Sequence, residues 1–96
     1  MSPDTDTSTY IDAFTYVKRS KNRQEVIKII AQSKNMTPSE IREEMNCRFS
    51  LTSNVLRDLK EHGIVECLNP EAKTGRVYYL TELGLKILEM LQNNKQ

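Results

Sequence analysis

A mostly helical domain closed by one two-stranded β-hairpin, an α+β arrangement, is what this 96-residue sequence predicts. Three observations carry that expectation. Helix-start residues recur at Ser20, Thr37 and Ser50, each ahead of a run whose apolar residues fall three and four apart. After Gly63 the apolar period switches from helical to two-fold in IVECL and RVYYL, with NPEAKTG between them. Thr81 then opens a last stretch rich in Leu, Ile and Met.

Taken in order, the first nine residues read as frayed. From Tyr10, the side chains Tyr10, Ile11, Phe14 and Val17 share one face if the segment is helical, although Thr15, Tyr16 and Val17 would equally suit a strand. Ser20 caps a helix over 21–33 whose buried stripe is Val26, Ile27 and Ile30. In TPSE, Thr37 caps, Pro38 takes the first helical position and Glu40 completes a capping box, giving a short helix through Met45. Ser50 caps a third helix over 51–62, and Gly63 supplies the left-handed residue that ends it. His62, in its last turn, suits the helix dipole. Thr81 caps the final helix, with Leu83, Ile87, Leu88, Met90 and Leu91 along it.

Composition narrows the function. At 38% hydrophobic, 28% charged and only three Gly and three Pro, the chain folds as one helix-leaning domain, too small for a barrel or doubly wound enzyme. A chain of this size buries only about 60–68% of its unfolded surface, so a partner subunit adds stability that one core supplies sparingly. Cys47, Cys67 and His62 are too few and too far apart for a zinc site or disulfide framework, so neither metal nor cofactor is expected. No nucleophile, base and metal set exists, so no catalytic residue is assigned and an enzyme is not expected. No apolar run approaches the roughly 18–20 residues that span a bilayer, and the acidic, polar start is unlike a secretory signal. A cytoplasmic protein without a membrane partner is expected. Net charge is +1, but all 14 basic residues lie from Lys18 onward against 10 of the 13 acidic ones, a local balance of +4.

Two helices joined by the tight NCRF connection, the second running directly into a hairpin, is the layout of a winged helix-turn-helix. From Ser20 to Leu88 the chain resembles the small archaeal winged-helix transcription regulators of the MarR and ArsR type. The residues that carry the resemblance are the SKNR helix start, TPSEI, and LRDLKEHGIVECLNPEAKTGRVYYLTELG, of which LKEHG to LTELG is the most specific part. The resemblance implies a transcriptional regulator, more often a repressor, that binds double-stranded DNA sequence-specifically as a homodimer. It implies helix 51–62 in the major groove and the wing, 64–80, on the backbone or in the minor groove. It also divides the chain into a dimerising extension at 1–19, a DNA-binding domain at 20–81 and a dimerising C-terminal helix at 82–96. A small-molecule effector is left open.

Projecting helix 51–62 at about 100° per residue places Leu51, Val55, Leu56 and Leu59 within roughly 140°, with Thr52 among them. That face packs on the preceding helices. Ser50, Ser53, Asn54, Arg57, Lys60 and Glu61 occupy the opposite face, which either reads DNA or is simply solvated. Asn with adenine and Arg with guanine are the bidentate pairings the major groove permits. Lys73 and Arg76 flank the wing tip, as phosphate contacts or solubilising charge. The dense basic run Lys18, Arg19, Lys21 and Arg23 reads as mostly solvated, with some reach toward phosphate. Cys47, Cys67, Tyr78 and Tyr79 read as turn and strand residues rather than a redox pair or a stacking platform.

The stripes Tyr10, Ile11, Phe14 and Val17 in front, and Leu83, Ile87, Leu88 and Leu91 at the end, exceed what one core can cover. They are assigned to a two-fold interface, the alternative being that both cover a single monomer core. Such a dimer sets two recognition helices about 34 Å apart. A rival function, a winged-helix module that binds another protein, is kept open by the modest charge. Binding that weakens steeply with salt would mark the DNA reader.

Overall fold

The computed structural model describes residues 7–46 and 49–93, so Cys47 lies outside the described residues. In chain order the elements are α1 (Thr7–Lys18), α2 (Lys21–Ser33), α3 (Pro38–Met45), α4 (Phe49–Glu61), β1 (Val65–Cys67), β2 (Tyr78–Leu80) and α5 (Glu82–Asn93). The α2 and α3 boundaries coincide with those expected, because both are set by short-range caps. Ser20 Oγ accepts Arg23 N–H at 3.3 Å. Thr37 Oγ1 accepts Glu40 N–H at 3.2 Å while Glu40 Oε1 accepts Thr37 N–H at 3.0 Å, the two reciprocal bonds of a capping box. At its far end α3 stops at Asn46, whose φ of 55° is left-handed and whose N–H donates to Arg42 O at 2.8 Å.

Two expectations shift, the starts of α1 and α4. α1 already starts at Thr7, inside the stretch read as frayed, while Thr15–Val17 take the helical of the two conformations their sequence allowed. Ala13 and Val17 are buried four residues apart, so tertiary burial outweighs the β preference of the branched residues. α4 starts at Phe49, which puts Ser50 inside the first turn and not at the cap. Gly63 does end α4, at φ 74° with its N–H on Lys60 O at 3.0 Å.

α1, α2 and α5 pack together on one side and α2, α3 and α4 on the other. Between them lies a core in which Val17, Ile27, Ile30, Ile41, Leu59, Ile64, Val65 and Ile87 have no exposed surface. Each such aliphatic contributes about 1.5–3 kcal/mol by leaving water. Val17 and Ile87 therefore belong to this chain's own core, and their assignment to a subunit interface is corrected. Both face inward, which leaves them nothing to offer a second copy. The other stripe residues remain at or near the surface: Ile11 is 50% exposed, and Tyr10, Phe14, Leu83, Leu88 and Leu91 are half-buried. Leu85, at the margin of the same apolar face, is 53% exposed on α5.

The hairpin is antiparallel, with Val65 opposite Leu80, Glu66 opposite Tyr79 and Cys67 opposite Tyr78. β2 is also held on its other edge, where Met36 N–H donates to Tyr78 O at 3.0 Å and Tyr78 N–H to Met36 O at 2.8 Å. The wing base is thus tied to the α2–α3 connection. Thr81 fixes the return into α5: its hydroxyl donates to Gly63 O at 2.6 Å, with Ile64 O at 3.0 Å, and accepts Gly84 N–H at 3.1 Å. Gly84 sits directly against the Ile64 carbonyl and the Leu80 side chain, where any Cβ would collide. Among the described residues, no helix is long and apolar enough to cross a membrane.

Candidate nucleic-acid interface

The helical projection of α4 holds. Thr52, Val55, Leu56 and Leu59 are buried and Leu51 is half-buried against the core, whereas Ser50, Asn54, Arg57, Lys60 and Glu61 are exposed and Ser53 is half-buried. Between this outer face and the wing run two adjoining depressions that share Pro38, Ser53, Arg76 and Tyr78. They form one groove. Arg57 and Lys60 line it from α4, and Lys73 and Arg76 from the wing, with no carboxylate in the lining. Among the described residues the single salt bridge is Lys86–Glu89, at 3.6 Å on α5, so none of the four groove cations is neutralised by an acidic neighbour. Four uncompensated positive charges facing a common cleft reinforce one another's field and attract an anionic partner.

Of the seven residues assigned to DNA, the groove brings together Ser53, Arg57, Lys60, Lys73 and Arg76. Ser50 and Asn54 stand on the exposed face of α4 outside the lining. Sequence reasoning missed Thr37, Pro38 and Ser39, which bring the N-terminus of α3, its partly positive end, to the same groove. The capping box located that end in the sequence; how α3 and α4 cross was not written there. Tyr78, taken as a plain strand residue, also lines the groove.

Behind α4, the run Lys18–Arg23 is partly consumed within the chain. Arg23 donates through one terminal nitrogen to Tyr16 O at 2.7 Å and lies over the Tyr16 ring at 3.7 Å, a cation–π contact. The other face of that ring is covered by His62, stacked at 3.7 Å and 16°. His62 Nδ1 meets Asp58 O at 2.8 Å, so the histidine holds the end of α4 against α1. Burial pushes the Tyr16 hydroxyl above the ordinary tyrosine value; Asp58 and Glu61 add to the rise and Arg23 opposes it. Lys18 lies 5.8 Å from the centre of the Phe14 ring, and Arg19 and Lys21 are exposed. Cys67 is a free thiol on β1, its Sγ 3.6 Å from Asn69 Oδ1.

A recognition-type helix preceded by a shorter helix and followed by a hairpin with a cationic groove defines a winged-helix protein. The family model described as winged helix-turn-helix matches residues 18–96, and the chain belongs to that family. An HTH-type transcriptional regulator of Methanocaldococcus jannaschii is 35% identical over 74 residues, spanning 74% of this chain and 68% of the relative. Among solved structures, a mutant of Escherichia coli MarR in complex with operator DNA superposes with a TM-score of 0.72 at 23% identity, over 90% of this chain and 62% of that one. A second MarR family transcription regulator gives 0.74 at 16% identity, over 92% and 59%. The shared fold is that of MarR regulators, although this chain spans only about 60% of their length. The named relative and these neighbours are transcription regulators, not enzymes.

Proposed function

We propose that this protein is a sequence-specific double-stranded-DNA-binding transcription regulator that acts as a homodimer, more often repressing than activating. α4 enters the major groove and the wing, residues 64–80, rests on the backbone or in the minor groove. The observation that carries this reading is the groove with four uncompensated cations bordering the exposed face of α4. Ser50, Ser53 and Asn54 near the start of α4, with Arg57 further along it, supply base-reading groups, and Lys60, Lys73 and Arg76 supply charge for phosphate. That the E. coli MarR neighbour was solved with operator DNA supports DNA as the partner.

The dimer reading rests on Tyr10, Ile11 and Phe14 of α1 and Leu83, Leu88 and Leu91 of α5, two helices that pack on each other and keep apolar side chains at the surface, Ile11 and Leu85 being the most exposed of them. The ends at 1–19 and 82–96 serve the interface while sharing one core with 20–81, because Val17 and Ile87 are buried in it. Selection of bound fragments from genomic DNA at stated salt tests the function. Enrichment of a palindrome with half-sites about one turn apart is expected. A failure to enrich any sequence, with binding to a protein partner that ignores salt, would transfer the groove to protein recognition.

A further inference from the structure

The tip of the wing is closed by one side chain. Beyond the Cys67–Tyr78 pair the ladder adds a single bond, from Leu68 N–H to Val77 O at 2.7 Å. A regular antiparallel pair would answer with Val77 N–H on Leu68 O. Here Val77 N–H donates to Asn69 Oδ1 at 2.8 Å, and Asn69 Nδ2 donates to Gly75 O at 3.2 Å. One planar carboxamide thus bridges the loop as a peptide unit would, and it takes a group with donor and acceptor side by side to do so. Inside that clasp the chain turns through Ala72 N–H on Asn69 O at 3.0 Å and reverses at Gly75, φ 66°. Arg76 lies between the two clasped residues. Its Nε–H donates to Ala72 O at 2.7 Å, which commits Nε to the loop and leaves the exposed guanidinium its two terminal nitrogens for a partner.

We infer that Asn69 is a positioning residue for DNA binding, one that makes no contact with DNA and acts through Arg76. Its carboxamide fixes residues 69–77 in the free protein, so that the Arg76 guanidinium meets a phosphate without a further loss of conformational freedom on binding. The inference rests on the DNA-binding reading above.

The test is fluorescence anisotropy of the full chain with a labelled duplex of about 30 base pairs, mixed in sequence, over a range of salt. Asn69→Ala should weaken binding by about threefold to tenfold. Arg76→Ala should weaken it and flatten the salt slope by about one unit. The double variant should bind no more weakly than Arg76→Ala alone, a non-additivity that a general loss of stability would not produce. Amide exchange supplies the second measurement: Val77 N–H should lose protection in Asn69→Ala while Ile27 and Leu59 keep theirs. Should that variant unfold, the same non-additivity is required of Asn69→Ser. Losses that multiply, or an Asn69→Ala protein that binds as tightly as the parent, would overturn the inference alone. A parent protein without salt-dependent binding would overturn the DNA-binding reading and this inference with it.

Discussion

Asn54 and Arg57 stand one turn apart on the open side of α4, and neither belongs to the packed face. Replacing either with Ala is expected to cost about 1–3 kcal/mol on the preferred site and much less on random DNA, because base contacts specify and phosphate contacts position. Titrations on both DNAs check this, with an unchanged melting temperature as the control. Equal losses on both would make the two residues phosphate contacts. Tyr16 yields a prediction of a different kind. Its hydroxyl holds its proton more tightly in the folded chain than in the unfolded one, first because it is buried. The associated stability is fully present below the ordinary tyrosine value, about pH 10, and is lost as pH rises through the higher folded value. Melting temperatures taken upward from pH 9 should fall less steeply in Tyr16→Phe than in the parent, and identical slopes would refute the assignment.

At the scale of elements, α5 is seated on the hairpin through contacts that leave no slack. Gly84→Ala would push a methyl group into the Ile64 carbonyl, and a loss of about 1–3 kcal/mol in denaturant unfolding is expected. A neutral substitution would mean that α5 can shift away from Ile64 and β2 at no cost. Such elements were legible in the sequence to the extent that their limits are local. Ser20, Thr37, Pro38, Glu40 and Gly63 each act within four residues, and α2, α3 and the end of α4 fell where those residues put them. The start of α4 did not, because Ser50 has the chemistry of a cap but sits one residue inside the helix. Tyr16 and His62, 46 positions apart, find each other only because α1 and α4 both pack on α2. The groove was half legible: its cations on α4 and the wing could be named, whereas Thr37–Ser39 reach it through the crossing of two helices. The bonds of Asn69 were invisible for a related reason, since nothing in NPEAKTG says which side chain spans the turn.

For the whole molecule, the burial of Val17 and Ile87 changes how the interface should be probed. Deleting residues 1–17 would remove two core side chains, Ala13 and Val17, and unsettle the fold along with any dimer. Surface substitutions separate the two effects: Ile11→Asp with Leu85→Asp should shift a micromolar dimer to monomer in sedimentation while the circular dichroism spectrum stays the same. An unshifted dimer would remove this face from the interface. The double-edged seating of β2, between β1 and Met36, has a consequence for what happens when the chain is cut. Lys73 is exposed at the wing tip, so trypsin can sever the backbone there without touching any element. The C-terminal piece would still be gripped on both sides of Tyr78, by Thr81 on Gly63, and by Ile87 in the core. The nicked protein should therefore run as one species under native conditions and as two under denaturing ones. Residues 1–73 and 74–96, made as separate polypeptides, should complement each other into a single folded body.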